Sequence, residues 1–482
     1  MLFHHDFHKG IIAELQSKNS DIAERTIPFS GGTLTLLYIM QLTDRSALSE
    51  QVIKPIMQYC STSKTAMKAQ ETMNTLIYAD NCRLELDSGM IERHILNGMT
   101  VMLFSNDKEY IVANLKKVEH RPVSEPKAQY TLRGPKDCFV ENLDVNLSLL
   151  RYRLKDKNLR IENMEVGERT SARIAVIYIE DIASDTAVQE IKKRINQIQV
   201  DGIIESGEVQ AFLLNSKISF FPNMILTERS DMASEQLLEG KVLVAVEGSN
   251  QVLAAPATFV EFMYACDDRY DNKFFGFFMR ILRYAAFFIS FAASSYWVAI
   301  ASFHSDTLPS HYIIALAASR TKVPFTALTG ALLLEFIMEL TREALIRVPQ
   351  KIGSAIAIVG AIIIGQAAIS AGVFSPLLLI LVSVEFLASY ATPNVTMSNP
   401  FRIIKFLMLL ISGILGFYGF SLGITVIVIN MISINSFGVP YGAPFGPFNL
   451  HDFLRTFMYS KTFSPKRQQY MQTKDKTRMK RK

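Results

Sequence analysis

A series of apolar segments between residues 280 and 437 constrains this chain most, because charged residues interrupt it at only a few positions. The first segment, Tyr284 to Phe303, contains no charged residue and is long enough to cross about 30 Å of hydrocarbon as a helix. Arg280 and Arg283 precede it, and Trp297 lies near its other end. That arrangement is typical of cationic anchoring on the cytoplasmic side and an aromatic residue at the opposite interface. Since comparable segments follow, we predict several membrane helices rather than one buried core helix.

Further apolar stretches complete the predicted membrane domain. Ile352 to Val373 is uncharged and rich in glycine, alanine and serine, which permits close helix packing. Leu377 to Tyr390 follows a Ser-Pro turn and is predicted to cross the membrane in the opposite direction. Ile403 to Phe437 is about twice as long as one crossing and contains glycines that favour a bend, so we interpret it as two crossings. With Val323 to Leu340 the count is six, which places both termini on the same side of the membrane.

Charges near these segments mark the first candidate functional residues. Glu335, Glu339 and Glu343 repeat at four-residue spacing, so on a helix they share one face. Arg342 can pair with Glu339 at a spacing of three residues, and Arg347 with Glu343 at a spacing of four. One interpretation is a polar lining, vestibule or subunit contact for ions. The other is a cytoplasmic helix extension with ordinary ion pairs, and the sequence leaves both open.

Two other sets of candidates lie inside the apolar segments. Glu385 sits within the returning span, and an intramembrane carboxylate is a functional candidate because its burial is costly. If the small-residue span packs around a pore, helical spacing predicts four lining or gate residues: Ile362, Ile363, Gln366 and Ser370. Gln366 could instead form a hydrogen bond with a neighbouring helix.

The first half of the chain is more polar and predicts a soluble α/β portion. Thr33 to Leu42 and Ala172 to Ile182 are apolar runs typical of buried strands, and a helix with one apolar face is expected after each. Gly98 to Ala113 and Gly240 to Ala255 both predict strand, turn and strand. We therefore predict two related α/β subdomains that arose by duplication. Chance likeness of short strand-helix units is the alternative.

These patterns give a fold class and a set of boundaries. The predicted fold is α/β plus α-helical membrane, with a soluble portion followed by a polytopic helical domain. The predicted ranges are a first subdomain at 1–120, a connector at 121–169, a second subdomain at 170–275, a transmembrane domain of about five to six helices at 276–440 and a basic tail at 441–482.

Neither catalysis nor metal binding is indicated. The soluble half contains no HExxH or GxSxG motif, and no GxGxxG or GxxxxGK[ST] loop occurs in the sequence, so we predict no enzyme and no cofactor. His4, His5 and His8 lack neighbouring ligands at suitable spacing, which favours a frayed terminus over a metal site. The charged stretch from Glu228 to Asp231 is interpreted as a salt-bridged turn rather than an acid–base centre.

The compartment follows from the cysteines, the N-terminus and the tail. None of the four cysteines lies in a CxxC pair, which favours reduced thiols in the cytoplasm. The N-terminus has no charged region followed by an apolar run, so no cleavable signal peptide is expected. The tail from Arg455 to Lys482 is strongly basic. We expect it to stay cytoplasmic and to contact anionic lipid.

Several stretches together resemble the A subunit of the GerA-type nutrient germinant receptors of endospore-forming bacteria. They are RGPKDCFVENLDVNLSLLRYRL, FFPNMILTERSDMASEQLLEGKVLVAVEG, SFHSDTLPSHYIIAL, VPFTALTGALLLEFIMELTREALIRVPQKIG, AIVGAIIIGQAAISAGVFSP and SFGVPYGAPFGP. The resemblance covers nearly the whole chain from about Gly98 onward. Two positions depart from the family pattern: Ser230 replaces a proline, and Gly330 replaces a glutamate beside the membrane.

The resemblance implies an integral protein of the spore inner membrane. Its expected partners are a transporter-like B subunit, which binds the nutrient, and a lipoprotein C subunit. The A subunit itself is expected to form a homo-oligomer, as a pentamer, and to open as an ion channel when nutrients are sensed. A nucleic-acid partner is not expected.

Three functions follow as hypotheses. The first is a nutrient-gated channel subunit, in which bulky apolar residues close the pore by dewetting. The second is a secondary transporter that uses Glu335, Glu339 or Glu385 for coupled binding. Repeats in the membrane half are the usual mark of a transporter, and the repeat here lies in the soluble half. The third is a non-conducting scaffold that passes a signal to partners.

Overall fold

A computed structural model describes the placement of most of this chain. The described residues are 21–62, 67–117, 129, 131, 134–214, 220–270, 272–348, 365–457 and 466–478. They form two five-stranded antiparallel sheets with short helices, followed by a region of long helices. The predicted fold class is therefore confirmed.

The first sheet lies within residues 22–113 and has the strand order β1-β2-β4-β5-β3. Its second strand, β2, lies inside the sheet and is apolar along most of its length because helices cover both faces of the sheet. Leu34 and Leu36 of this strand point into one core, while Leu37 and Ile39 point into the other. The strands are β1 (Ile22–Phe29), β2 (Gly32–Ile39), β3 (Cys82–Glu85), β4 (Thr100–Phe104) and β5 (Tyr110–Ala113).

The second sheet has the equivalent order, β6-β7-β9-β10-β8. Its register repeats that of the first sheet: Leu34 pairs with Phe104, and at the equivalent place Ile174 pairs with Val246. This shared order and register confirm two related subdomains. The strands are β6 (Leu159–Val166), β7 (Ala172–Ile179), β8 (Ile225–Thr227), β9 (Val242–Val246) and β10 (Val252–Ala255).

The sequence analysis did not anticipate the edge strands β1 and β6. β6 lies inside the range 121–169 that was predicted as a connector, yet it pairs with β7 along its whole length. The second sheet therefore begins before residue 170. β6 was missed because four of its eight residues, Arg160, Glu162, Asn163 and Glu165, are polar, which weakens the apolar signal of a strand.

Short helices pack against the two sheets. Helical turns at Arg45–Ala47 and Leu48–Ile53 lead into the first of them. The helices are α1 (Lys54–Thr62), α2 (Ala69–Thr75), α3 (Ile91–Leu96), α4 (Leu143–Arg153), α5 (Asp185–Asn196), α6 (Ser206–Leu213) and α7 (Ser230–Leu238). Two 3-10 turns, Phe259–Met263 and Cys266–Arg269, connect the second subdomain to the long helices.

The second half of the described chain is helical. Two of its helices, Phe274–Phe303 and Val395–Ser433, are long and apolar enough to cross a membrane. A two-stranded ribbon of β11 (Asn435–Ser436) and β12 (Val439–Pro440) follows the longest helix. The helices are α8 (Lys273–Phe303), α9 (Ser310–Arg320), α10 (Ala327–Arg347), α11 (Pro376–Ser389), α12 (Val395–Ser433) and α13 (Leu450–Phe457).

Helix α12 is folded back on itself at Gly416. The backbone there has φ 62° and ψ −141°, which only glycine adopts readily. Beyond the break, Gly423 lies so close to Met408 that a Cβ atom would collide with the sulfur. In a straight helix these two residues would be about 22 Å apart. The bend predicted from the glycines is present, and α12 consists of two antiparallel arms.

The surface of the helical half is apolar. Its exposed side chains include large aliphatic and aromatic groups on several helices, which is unusual for a surface facing water. More than half of each of these side chains is exposed: Phe336, Ile380, Leu387, Ile403, Ile414, Val426 and Ile429. Together with the two long apolar helices, this surface is consistent with association with a membrane.

The basic tail packs on the second subdomain instead of extending from it. Lys474 forms an ion pair of 2.7 Å with Asp185, and Arg478 pairs with Glu235. Arg467 donates a hydrogen bond of 2.8 Å to the carbonyl of Leu238. These three side chains therefore bind groups of the protein itself, whereas the sequence analysis expected the tail to contact anionic lipid.

Candidate functional site

A buried cluster of ion pairs lies between α10 and the first arm of α12. The ammonium of Lys405 is 2.6 Å from Glu335 Oε2 and 2.9 Å from Glu339 Oε1. Arg402 donates to Glu339 Oε2 through Nη2 at 2.6 Å and Nε at 2.9 Å. Glu335 and Lys405 are only 1% and 5% exposed. Because an isolated charge is very costly at such burial, each of these groups depends on its partner.

Helices α8 and α11 complete the cluster on its other side. The hydroxyl of Ser294 lies 2.9 Å from Glu335 Oε1 and also forms a hydrogen bond with Glu385 Oε2. The backbone N–H of Ser294 donates to the same Glu385 oxygen at 2.9 Å. Ser294 thus bridges two buried carboxyl groups. The cluster ties four helices together through polar contacts.

Arg342 forms the edge of the cluster that faces the soluble subdomains. It donates to the hydroxyl of Ser389 at 2.6 Å and lies 3.6 Å from Glu339. Its guanidinium also stacks over the rings of Phe386 and Tyr390, at 4.9 and 5.3 Å from their centroids. Such stacking suits arginine because its planar group is weakly hydrated. The edge of the cluster is therefore held by packing as well as by charge.

The cluster leaves almost no room for a ligand. The cavity beside Glu385, Arg402 and Lys405 has a volume of about 10 Å³, which is at the lower limit for a single water molecule. A larger cavity of about 500 Å³ lies between Trp297, Tyr312 and Leu377, but its lining is almost wholly apolar. Neither cavity offers a hydrated ion a path through the described helices.

The structure brings some of the predicted residues together and separates others. Glu335, Glu339, Arg342 and Glu385 meet in the cluster. Glu343 and Arg347 form an exposed ion pair of 2.6 Å on the last turns of α10. This exposed pair matches the interpretation of ordinary ion pairs, whereas a lining, vestibule or subunit contact for ions stays a prediction. The predicted pairings of Arg342 with Glu339 and of Arg347 with Glu343 are confirmed.

The pore candidates remain predictions. Ile362 and Ile363 lie outside the described residues. Gln366 and Ser370 lie in a described helical stretch and are exposed in the single chain. They are therefore available to another helix, another copy of the chain or water.

Sequence analysis missed two members of the cluster, Lys405 and Ser294. From the sequence alone, Arg402 and Lys405 mark the cytoplasmic side of a span, and Ser294 is part of an uncharged span. A usable signal existed for Lys405, since a cation within an apolar segment calls for a buried carboxylate partner. No comparable signal marks Ser294, because serine is common in membrane helices.

The charged stretch from Glu228 to Asp231 forms a buried turn. Arg229 is completely buried and donates to both oxygens of Asp231, at 3.0 and 2.9 Å. Burial raises the pKa of Asp231, but the hydrogen bonds from Arg229 and Tyr270 outweigh burial and hold that pKa below its usual value. Ser230, where the family pattern has proline, accepts a hydrogen bond of 2.8 Å from Arg153. The charged stretch therefore has a structural role, as predicted.

A second buried cluster joins α8 to the soluble half. Asp268 accepts hydrogen bonds from Arg283 at 2.9 and 3.2 Å and from Arg280 at 3.3 Å. Arg280 also donates to the carbonyl of Thr456 at 3.1 Å. Both arginines are buried. They fasten α8 to the second subdomain and to α13, and do not anchor it to lipid headgroups as the sequence suggested.

Replacing Asp268 with alanine is expected to loosen this junction. The change leaves two buried guanidinium groups without their carboxylate, which typically costs about 3–5 kcal/mol. The expected result is a lower unfolding temperature of the purified protein and faster proteolysis near residues 264–272. Asp306→Ala, at an exposed acidic residue, is the control and should change neither. An unaltered proteolysis pattern in Asp268→Ala would show that Asp268 does not hold the junction.

These features define a class of protein. Two related antiparallel α/β subdomains are joined to an apolar helical bundle that is braced by buried ion pairs. The sequence model of the Bacillus/Clostridium GerA spore germination proteins matches residues 10–470. The chain belongs to this family, which confirms the resemblance.

Individual relatives agree with the assignment. The chain is 36% identical to spore germination protein KA of Bacillus subtilis over 86% of this chain and 76% of that protein. It is 34% identical to spore germination protein A1 of the same organism, covering 92% and 91% of the two chains. The crystal structure of the N-terminal domain of the A subunit of the Bacillus megaterium spore germinant receptor GerK3 is 23% identical, with a TM-score of 0.40, over 52% of this chain and 94% of that one.

Proposed function

We propose that this protein is the A subunit of a nutrient-sensing spore germinant receptor and forms a ligand-gated cation channel from several copies of itself. It would lie in the inner membrane of the spore, with the soluble subdomains and the tail on the cytoplasmic or core side. A transporter-like B subunit and a lipoprotein C subunit would complete the receptor. Family membership and the apolar surface of the helical half support this assignment.

One observation supports an ion pathway between copies of the chain. The described helices are closed around the cluster of Glu335 and Lys405, whose cavity of about 10 Å³ cannot hold a hydrated ion. A pathway would therefore run between copies, lined by a helix that is exposed in the single chain. Gln366 and Ser370 meet this condition, and a ring of copies, with five as the proposed number, would place them around one axis.

A secondary transporter is the second candidate. The observation in its favour is the pair of buried carboxyl groups, Glu335 and Glu385, bridged by Ser294, since such groups can carry coupled protons or ions. The closed packing around them is against it, because a transporter needs a substrate site at this depth. A non-conducting scaffold is the third possibility, and the same experiment separates it from a channel.

Ile363→Ala in the complete receptor is expected to cause cation efflux from spores without nutrient. If Ile363 helps to close the pore by excluding water, removing its bulk lets water and then ions enter. Efflux of potassium from spores, compared with wild type, measures the effect. Ile380→Ala removes the same side chain from an exposed site on α11 and should leave efflux dependent on nutrient.

The alternatives predict other results. Nutrient-dependent efflux that is unchanged in Ile363→Ala, at a normal protein level, would remove Ile363 from the gate and favour the glutamate-bearing helix as the pathway. A scaffold predicts no leak and only weaker signalling as the protein loses stability. A transporter predicts that Glu385→Gln abolishes transport, while Ile363→Ala causes no leak.

A further inference from the structure

A cavity of about 470 Å³ at the edge of the first subdomain has a strongly basic lining. Five of its lining residues are basic and none is acidic. The basic residues are Arg83, Arg93, His94, Lys116 and Lys155. Side-chain amides and two methionines supply the remaining walls. This composition favours an anion, because the positive potentials of the lining groups add inside a partly enclosed space.

The fold brings these residues together from distant parts of the chain. Arg93 and His94 lie on α3, while Arg83 lies on β3. Lys116 follows β5, and Lys155 follows α4 of the second subdomain. The cavity is therefore located where the two subdomains meet.

His94 forms part of the wall of this cavity. The side chain is only 4% exposed, and its Nδ1 lies 3.3 Å from Nη2 of Arg83. Arginine can only donate, so Nδ1 accepts and the ring proton is on Nε2. Nε2 has no hydrogen-bond partner among the described residues, and the carboxylate of Glu85, at 3.9 Å, is too far away for a hydrogen bond. Because Nε2 has almost no accessible surface, it does not face the open space of the cavity.

The protonation state of His94 fits this arrangement. Burial lowers the pKa of His94, and the charges of Arg83 and Arg93 lower it further, against an opposing effect from Glu85. The ring is therefore neutral at pH 7, and its Nε2–H remains a buried donor. The positive potential in the cavity therefore comes from the arginine and lysine side chains around the neutral ring.

Of the cations around His94, Arg83 pairs with Glu85 at 3.2 Å, and Lys116 lies over the ring of Tyr152 at 4.7 Å. Arg93, Lys116 and Lys155 have no acidic partner within the described residues. Burial lowers the pKa of Lys116, and the neighbouring charge of Lys155 lowers it further. By contrast, Lys117, one residue further along, points elsewhere and pairs with Asp44 at 3.5 Å. The positive charge is thus concentrated on the cavity side of this strand end.

We propose that this cavity binds a small polyanion, a metabolite that carries at least two negative charges as phosphate or carboxylate groups. Arg93, Lys116 and Lys155 would surround the anionic oxygens. A single negative charge would leave most of this positive charge uncompensated. Bound between the subdomains, the anion would stabilise their relative position, and this role is independent of where ions cross the membrane.

Binding of pyrophosphate and of citrate to the purified full-length protein in detergent tests the proposal. Isothermal titration and the unfolding temperature are measured at constant ionic strength, with acetate as a monovalent comparison. The expected result is saturable binding of pyrophosphate, citrate or both, with at least a tenfold preference over acetate. Which of the two binds more tightly distinguishes a phosphorylated ligand from a polycarboxylate. Equal, unsaturable effects of all three would mean a general salt effect and would overturn the proposal.

Two variants locate the site. Arg93→Gln combined with Lys155→Gln changes two exposed side chains and is expected to weaken binding at least tenfold without lowering the unfolding temperature of the free protein. Lys117→Gln removes a lysine charge outside the cavity and should bind like wild type. If the double variant binds as tightly as wild type, the cavity is not the binding site.

Discussion

Lys405→Met is expected to be the most damaging single change in the helical half. Methionine matches the length of lysine but leaves the carboxylate of Glu335, which is 1% exposed, without its cation. Removing one partner of a buried ion pair typically costs about 3–5 kcal/mol. Glu339 would lose a contact as well, although Arg402 still neutralises it. The expected result is a strongly reduced amount of folded protein in the membrane and a lower unfolding temperature in detergent.

A second change is expected to rescue this variant. Glu335→Leu combined with Lys405→Met removes both charges, and replacing a buried ion pair by apolar residues is often neutral or stabilising. The exposed pair of Glu343 and Arg347 is the matched control, because Arg347→Met should cost less than about 0.5 kcal/mol. If Lys405→Met alone unfolds at the wild-type temperature, the cluster does not brace the helices.

The rescued double variant also addresses function. If the cluster only braces the helices, the double variant should restore nutrient-dependent efflux together with stability. If the carboxyl groups carry protons or ions, the double variant should fold but remain inactive. Folding without activity would therefore favour the transporter over the channel.

Gly416→Val is expected to have the second-largest effect. Valine is strongly disfavoured at φ 62° and ψ −141°, and strain of this kind costs about 1–3 kcal/mol. Its Cβ would also approach Phe303 and His304 at 3.1 and 3.0 Å, which adds the cost of overpacking, about 1–3 kcal/mol. The total predicts a loss of several kcal/mol. We expect a lower unfolding temperature and little protein in the membrane.

Gly330→Ala provides the control for this prediction. Gly330 lies inside α10, and an added Cβ would meet Leu378 at an ordinary distance of 3.5 Å. Alanine also favours the helix by roughly 0.5–1 kcal/mol relative to glycine. Gly330→Ala should therefore be neutral or slightly stabilising. A similar loss in both variants would mean that the helical half tolerates no added atoms, and that the turn at Gly416 is not special.

The sequence predicted features that depend on local pattern. The apolar runs of β2 and β7 were recognised because both faces of each strand are buried, so their residues had to be apolar. The break in α12 was expected because several glycines fall in a segment too long for one crossing. The edge strands β1 and β6 were missed because polar residues along them dilute that pattern.

The candidate site likewise contains residues that the sequence predicted and partners that it did not. Glu335, Glu339 and Glu385 stood out because a carboxylate in an apolar segment is costly and needs a reason to be there. Their partners were not predictable, because Lys405 and Ser294 lie on other helices, far away in the sequence. Arg280 and Arg283 were assigned to lipid headgroups from their position before a span, whereas folding places Asp268 next to both.

The sequence by itself determined the division into a soluble α/β half and an apolar helical half, the repeat within the first, and the family. Burial must be encoded locally, since each strand or helix carries its own apolar face. Only the tertiary structure decided which charged groups lie together, and therefore that the cluster around Lys405 is closed while the cavity beside His94 is lined by basic residues and no acidic one. Such pairings depend on contacts between residues distant in the chain, and no local pattern records them.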